Sequence, residues 1–256
     1  MGSFTIEKKD KGYLLFTITR NEKRNAINYE VMEGLLEAID QTKDSRIKAL
    51  VITGSGDQAF CSGGDLSVFH LLKTKEEAHS MLAKMAAILV KIATLPIPTV
   101  ALINGAAIGG GMELASACDF RLAQKKIKAG FVQGNQAITT GWGGGSLLSE
   151  KLPAASAMQL LMNASLLSAM QLKRLGFIDE LYESMSLDAC EQFLEKMLSI
   201  EKSVLNAYKE IWLRKWENNQ LFKRIEEEVQ RCSILWESEA HHLYVKKFID
   251  KNLNKL

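Results

Sequence analysis

The sequence predicts an α/β fold that ends in a helical region. Short, nearly all-apolar runs at Lys48–Gly54 and Pro98–Gly105 are typical of strands that are buried on both faces of a sheet. Segments with helical spacing alternate with these runs, whereas from Pro153 onward the pattern is helical only. Alternating strands and helices followed by helices alone favour an α/β core with a helical C-terminal part.

Composition limits the classes of function. The 256 residues carry 32 Lys+Arg against 30 Asp+Glu, a formal net charge of +2, so there is no basic bias toward nucleic acid. The four cysteines and four histidines show no metal-ligand spacing, which predicts reduced thiols and no metal site. No apolar run approaches the roughly 20 residues that cross a bilayer, and the N-terminus lacks the apolar stretch of a signal peptide. We therefore expect a cytoplasmic protein with no membrane partner.

The elements of the first half follow from local signals. Gly12–Arg20 is rich in β-branched and aromatic residues and predicts a strand. Asn28 is placed to cap a helix with apolar residues on one face. Thr74 and Glu77 form a capping box for a second helix, which Pro96 ends.

The later elements follow a glycine run. This run opens a short helix around Met112–Cys118, and further strands are predicted at Asp119–Ala123 and near Gly130–Val132. Ser168 and Gln171 form a second capping box. Three more helices are predicted at Leu187–Ile200, Val204–Glu217 and about Leu221–Leu235.

Two glycine-centred loops carry the chemical signal. The segments Ala59–Leu66 (AFCSGGDL) and Asn104–Leu114 (NGAAIGGGMEL) each follow a predicted strand, and the second leads into a helix. Glycine permits close approach of the backbone to a ligand, and a helix N-terminus presents unpaired N–H groups. Two such loops on neighbouring strands could aim two N–H donors at one oxygen, which would be an oxyanion hole. The alternative is that these glycines serve turns and tight packing only.

The segments FCSGGDL and INGAAIGGGMELASACDFRLA, in this order, resemble the crotonase (enoyl-CoA hydratase/isomerase) superfamily over essentially the whole chain. The resemblance implies a crotonase-like spiral of ββα turns over residues 1–195 and a helical C-terminal trimerisation region over 196–256. It also implies binding of acyl-CoA thioesters, stabilisation of a thioester enolate, and a role in fatty acid metabolism. No cofactor is expected, because coenzyme A is part of the substrate.

The resemblance also implies the catalytic groups. The backbone N–H groups of Gly64 and Gly110 fall on the two oxyanion donors, and Glu113 falls on one of two catalytic glutamates. The alternative for Glu113 is a carboxylate that only interacts with the helix dipole. The second glutamate is replaced by Asn135 or, if the alignment shifts by one residue, by Gln136, and no acid occurs between Asp119 and Glu150. An amide cannot transfer a proton at neutral pH.

Substrate contacts are implied in the same way. Trp142 is expected either to line the acyl pocket or to belong to the ordinary core. Lys23 and Arg24 are placed to pair with phosphates, unless they are simple surface charges. The remaining expected contacts with coenzyme A or its acyl group come from Ala26, Ser62, Asp65, Leu66, Phe248 and Lys251.

We therefore expect an enoyl-CoA hydratase/isomerase-type enzyme. One alternative is a malonyl-type acyl-CoA decarboxylase, because loss of CO₂ forms the enolate without a base; a charged Glu113 would, however, repel the substrate carboxylate. A non-catalytic binding protein with the same fold is the other alternative. A homotrimer or homohexamer is expected, because the predicted C-terminal helices carry many large apolar side chains. These are Leu205, Tyr208, Ile211, Trp212 and Trp216.

Overall fold

A computed structural model describes residues 2–184 and 187–253, apart from the side chains at 248, 249 and 251–253. The strands are β1 (Phe4–Lys9), β2 (Tyr13–Ile18), β3 (Ala49–Gly54), β4 (Ala59–Cys61), β5 (Thr99–Ile103), β6 (Ala106–Ile108), β7 (Phe120–Gln124), β8 (Lys128–Gly130), β9 (Leu167–Ser168) and β10 (Glu180–Tyr182). The helices are α1 (Tyr29–Gln41), α2 (Leu66–Phe69), α3 (Lys75–Ala93), α4 (Gly110–Ala117), α5 (Gly144–Lys151), α6 (Ala154–Met162), α7 (Ala169–Arg174), α8 (Leu187–Ser199), α9 (Lys202–Asn218), α10 (Leu221–Trp236) and α11 (Glu239–Leu253).

The strands form two sheets. The larger has the order β1-β2-β3-β5-β7-β10, with β1 antiparallel to β2 and the other pairs parallel. The smaller has the order β4-β6-β8-β9, in which β4, β6 and β8 are parallel. From β3 to β8 the chain alternates between the two sheets, so β4, β6 and β8 each follow a strand of the larger sheet. The predicted α/β fold is confirmed.

Both faces of the larger sheet are covered. Phe16 and Ile52 lie in the main core together with residues of α1 and α3. Leu15 and Val51 point to the other face, where Leu194 of α8 packs against them. Burial on both faces explains why β2 and β3 are apolar apart from Thr17 and Thr53, rather than alternating with polar residues.

The capping predictions are confirmed. The Asn28 side chain accepts a hydrogen bond from the Val31 N–H at 2.9 Å, and both capping boxes are formed, at Thr74 and at Ser168. Each side chain satisfies an N–H group that has no partner within the helix. Helix α4 begins at Gly110, two residues earlier than the glycine run indicated.

Two expectations about strands are wrong. The region after Pro153 contains β9 and β10, although its sequence predicts helices only. These strands have two and three residues, too few for a periodic pattern, and they exist because β8 and β7 offer them backbone partners. Strand β1 was also not predicted, because four of its six residues are charged or polar, as expected for the exposed edge of a sheet.

The C-terminal helices cover one end of the core. Helix α10 packs against α3 and α5. Helix α9 carries both buried and exposed apolar side chains. Leu205 and Trp216 are buried, but Tyr208, Ile211 and Trp212 are each more than half exposed. Within residues 2–184 and 187–253, no helix is long and apolar enough to cross a bilayer.

Candidate active site

The two glycine loops lie side by side. Strands β4 and β6 pair in parallel, so the loops that leave their carboxyl ends meet at one edge of the smaller sheet. Gly63 has a φ of +96°, and a Cβ at this position would lie 3.2 Å from the backbone nitrogen of Gly110. The Ile27 N–H donates to the Gly63 carbonyl, and the Asp65 N–H donates to the Ile27 carbonyl, which fixes the first loop from the other side.

Two N–H groups of these loops face a cavity without a partner. In the described part of the chain, neither the Gly64 N–H nor the Gly110 N–H has a hydrogen-bond acceptor, and both residues line the same cavity. Gly110 is the first residue of α4, where the helix dipole adds partial positive charge. Two free donors at one cavity can stabilise an oxygen that gains negative charge.

Glu113 lies one turn into α4 and is 3% exposed. The N–H groups of Trp142 and Gly144 donate to its Oε2 at 2.8 and 3.0 Å. The side-chain Nε2 of Gln133 donates to Oε1 at 3.0 Å, and the Gly141 N–H approaches the same oxygen at 3.4 Å. The turn before α5 therefore fixes this carboxyl, which also lines the cavity.

Burial raises the pKa of the Glu113 carboxyl from 4.5 to about 8, and the negative charge of Glu228 acts in the same direction. The backbone N–H donors of Trp142, Gly144 and Gly141 oppose this shift, because they favour the carboxylate. Glu113 is thus mainly neutral at pH 7 and exchanges its proton near that pH, as a general acid or base requires.

This pKa predicts a pH dependence of stability. The native state holds the Glu113 proton up to about pH 8, whereas the unfolded chain releases it near 4.5. The resulting stabilisation is fully present below pH 4.5 and is lost as the pH rises through 8. We expect the free energy of unfolding of wild type to fall between pH 5 and 8.5, relative to Glu113→Gln, in urea denaturation. Parallel pH curves for the two proteins would contradict the raised pKa.

Gln133 occupies the place that the sequence assigned to Asn135. Asn135 is exposed, and its Nδ2 donates to the Ala164 carbonyl at 2.6 Å, outside the cavity. Gln133 and Gln136 line the cavity instead. Both belong to a 3₁₀ turn over Gln133–Gln136, whose tight winding turns residue 135 outward. The expectation that Asn135 replaces the second acid is therefore not supported; the amide beside Glu113 is that of Gln133.

Trp142 combines the two roles that the sequence left open. It is 4% exposed, belongs to the main core and also lines the cavity. A Cβ at Gly110 would lie 2.2 Å from Cζ3 of its indole, and a Cβ at Gly64 would lie 3.5 Å from Cζ2. The ring therefore lies against both residues that carry the free N–H groups, and only glycine leaves room for it at Gly110. The cavity has a volume of about 100 Å³.

Comparison with known proteins identifies the family of this chain. A family profile described as Enoyl-CoA hydratase/isomerase matches residues 8–253. The chain belongs to the enoyl-CoA hydratase/isomerase family. It is 32% identical over 213 residues to ethylmalonyl-CoA decarboxylase of Rattus norvegicus, which covers 81% of this chain and 71% of that protein. It is 33% identical over 184 residues to mitochondrial methylglutaconyl-CoA hydratase of Rattus norvegicus, covering 70% of this chain and 56% of that protein.

Solved structures of this family share the fold. An enoyl-CoA hydratase from Bacillus halodurans has a TM-score of 0.86 at 24% identity, covering 96% of this chain and 99% of that one. An enoyl-CoA hydratase/isomerase from Xanthobacter autotrophicus Py2 has a TM-score of 0.89 at 20% identity, covering 99% of this chain and 95% of that one. Together with the family match, these likenesses confirm the crotonase-type fold.

Most residues that are expected to contact coenzyme A lie in or near the first glycine loop, Ala59–Leu66. The Ser62 N–H donates to the Arg24 carbonyl at 3.1 Å, and Ser62 and Leu66 line the cavity. Asp65 is buried and pairs with Arg20 at 2.6 Å, so it joins two loops within the protein. The Lys23 and Arg24 side chains are exposed, and Ala26 is 6% exposed. The roles of these residues stay predictions.

Two expected contacts cannot be placed. Phe248 and Lys251 fall within α11, but their side chains lie outside the described part of the chain.

Several residues near the site were not predicted. Glu228 of α10 accepts hydrogen bonds from the Gly145 and Ser146 N–H groups at 3.1 and 2.8 Å, at the beginning of α5. His241 of α11 is also buried, and its Nδ1 lies 2.8 Å from the Gln136 carbonyl oxygen. Both contacts join helices to distant loops, and no local sequence pattern reports such a contact.

Proposed function

We propose that this chain is an acyl-CoA enzyme of the hydratase/isomerase type, in which the Gly64 and Gly110 N–H groups hold a thioester enolate and Glu113 moves a proton. One observation carries the proposal: two unpartnered N–H groups and a buried carboxyl face the same cavity. Coenzyme A enters as part of the substrate, and no other cofactor is needed.

The arrangement suits enolate chemistry. An enolate oxygen carries nearly a full negative charge that the thioester carbonyl lacks, so fixed donors stabilise the transition state more than the substrate. One such donor contributes about 3–4 kcal/mol in a preorganised site. Glu113 lies one turn beyond Gly110 in the same helix and lines the same cavity, and we assign its carboxyl to the carbon next to the thioester.

The cavity favours a short acyl group. Its volume of about 100 Å³ is well below the roughly 300–1,000 Å³ of pockets that enclose a whole small molecule. The acyl part would enter this cavity, while the nucleotide end of coenzyme A would remain near the exposed Lys23 and Arg24.

A decarboxylase is the second candidate, and the pKa of Glu113 favours it. A Glu113 that is mainly neutral at pH 7 does not repel a substrate carboxylate, so the repulsion expected from sequence disappears. Loss of CO₂ forms the enolate without a base, and a neutral Glu113 can then protonate it. The 32% identity to ethylmalonyl-CoA decarboxylase over 81% of the chain supports the same candidate.

Substrate assays separate the candidates. We expect acetoacetyl-CoA to bind in calorimetry, and incubation with crotonyl-CoA to yield a hydrated product, or 3-butenoyl-CoA an isomerised one, detected by mass or chromatography. Product from methylmalonyl-CoA alone would favour the decarboxylase. No binding at millimolar ligand would overturn the acyl-CoA function and leave a non-catalytic binding protein.

The pH profile gives a second criterion. Hydration and isomerisation begin with Glu113 as a base, so kcat/KM for those substrates is expected to rise toward a plateau above about pH 8. Decarboxylation followed by protonation needs the neutral acid, so its rate should fall across the same range. A flat profile for every substrate would show that Glu113 does not limit turnover.

We propose that three copies assemble through α9, as a homotrimer or a pair of trimers. Tyr208, Ile211 and Trp212 form an exposed apolar cluster on that helix, and such clusters generally mark an interface. Light scattering is expected to report a trimer or hexamer for wild type and smaller species for Trp212→Asp. A wild-type monomer at assay concentration would contradict the assembly. A cytoplasmic location, which we also propose, is supported by the four free, buried cysteines.

A further inference from the structure

A group of charged side chains lies at the end of helix α4 that faces away from the cavity. Lys151 donates from its Nζ to the Ser116 carbonyl at 2.7 Å and to the Cys118 carbonyl at 2.5 Å. Arg121 also donates to the Cys118 carbonyl, at 3.1 Å. Ser116 and Cys118 are buried. These donors serve carbonyl groups at the end of a helix, where the helix itself offers no further N–H partner.

Lys151 is the last residue of α5, the helix whose first turn holds Glu113. At the beginning of α5, the Trp142 and Gly144 N–H groups donate to the Glu113 carboxyl at 2.8 and 3.0 Å. At its end, Lys151 binds the last turn of α4. Both helices have eight residues, a length of about 12 Å. They therefore lie side by side in the same direction and are joined near both ends.

The Lys151 ammonium is destabilised by its surroundings. Burial lowers its pKa from 10.5 to about 7, and the positive charges of Arg121 and Lys209 act in the same direction, although Asp119 opposes them. A charge that loses its hydration in this way adds little net stability. Both hydrogen bonds can form in either protonation state, because an ammonium has three N–H donors and an amine has two. The contact is therefore better explained by where it holds α4 than by the stability that it adds.

The position of α4 along α5 sets the geometry of the site. The Gly110 N–H moves with α4, whereas the Gly64 N–H belongs to the other glycine loop and the Glu113 carboxyl is bound to the turn before α5. A shift of α4 along its axis would change the distance between the two N–H donors and strain the contacts of Glu113. An error of about 1 Å in such a site can lower the rate by about 10²-fold.

We propose that Lys151 is a positioning residue: by binding the Ser116 and Cys118 carbonyls, it fixes the axial position of α4 against α5 and thereby places the Gly110 N–H. Lys151 is not among the residues that line the cavity, so it acts through the helix and not on the substrate. The effect on the reaction rate rests on the proposed acyl-CoA function, whereas the restraint of α4 does not.

Lys151→Met tests the effect on the rate, because methionine has a similar length and no N–H donor. With the best acyl-CoA substrate of wild type, at a temperature at which the variant is folded, we expect kcat to fall about 10- to 100-fold and KM to change less than about threefold. Lys151→Arg restores a cation with N–H donors and is expected to recover most of the turnover.

Lys209→Met is the matched control. Lys209 is also buried, but it donates to Asp119 at 2.6 Å and to the Ala93 carbonyl at 3.1 Å, both outside α4. Its loss leaves the Asp119 carboxylate without this partner. We therefore expect Lys209→Met to lower the melting temperature at least as much as Lys151→Met and to keep the wild-type kcat.

Hydrogen exchange of the amides over residues 110–117 measures the restraint of α4 independently of activity. We expect faster exchange in Lys151→Met than in wild type, and a smaller change in Lys209→Met. Unchanged exchange in Lys151→Met would overturn the restraint, even if wild type binds no acyl-CoA and the acyl-CoA function itself fails.

Wild-type kcat in Lys151→Met, or an equal loss of kcat in Lys209→Met, would overturn the effect on the rate, because Lys151 would then contribute to stability only. Should Lys151→Met fail to fold, Lys151→Gln takes its place. Its shorter side chain keeps N–H donors but does not reach both carbonyls, so the same losses are expected.

Discussion

Glu113→Gln is expected to abolish turnover and to leave acyl-CoA binding nearly intact. The amide retains the size of the carboxyl, and its oxygen can still accept from the Trp142 and Gly144 N–H groups. It cannot take or give a proton, and general acid–base groups contribute about 10²–10⁴-fold to rate. Single-turnover kinetics would report the loss, and calorimetry would report the retained affinity.

Glu228→Gln is the matched control for that variant. Its charge raises the pKa of Glu113 from outside the cavity lining, so its removal should lower the apparent pKa in the rate profile and preserve turnover. If Glu113→Gln turns over every tested acyl-CoA at the wild-type rate, Glu113 interacts only with the helix dipole and our catalytic assignment is wrong.

Gly144→Ala is expected to lower both the free energy of unfolding and the turnover rate. A Cβ there would lie 2.3 Å from Cγ and 2.8 Å from the Cα of Glu113, so backbone as well as side chain must move. Overpacking in a core costs about 1–3 kcal/mol. The displaced turn would also withdraw the N–H donors that fix the Glu113 carboxyl, and angstrom-scale errors of position are costly in catalysis.

Thermal denaturation and crotonyl-CoA assays on the same preparation would measure both effects. Gly134→Ala is the milder comparison, because its Cβ would meet only the Ala164 side chain, at 3.2 Å. If Gly144→Ala is as stable and as active as wild type, the turn before α5 accommodates a Cβ at position 144 and the prediction is wrong.

Most of the fold could be predicted from the sequence because its strands are buried and its helices are capped. The nearly all-apolar β3 and β5 and the capping boxes at Thr74 and Ser168 are local signals, and the structure confirms each of them. Strands β9 and β10 could not be predicted, because pairing with distant strands, rather than their own two or three residues, defines them.

Part of the candidate site could likewise be predicted from the sequence, and part could not. The two glycine loops and Glu113 belong to the motifs that carry the family resemblance, and the structure brings them to one cavity. The exchange of Asn135 for Gln133 depends on the winding of one 3₁₀ turn, since a shift of two residues reverses which side chain faces the cavity. Glu228, whose charge also raises the pKa of Glu113, lies 115 positions further along the chain, so no local sequence pattern could report this contact.

The contact between Trp142 and Gly110 has an evolutionary consequence. Because a Cβ at Gly110 would collide with the indole, any lineage that gains a side chain at position 110 must first lose the bulk at position 142. Substitutions at these two positions are therefore expected to be coupled, although 31 residues of sequence separate them. Family members with alanine or serine at the position of Gly110 are expected to carry a small residue in place of the tryptophan. A side chain gained at position 110 while Trp142 is still present would collide with the indole and disrupt the site.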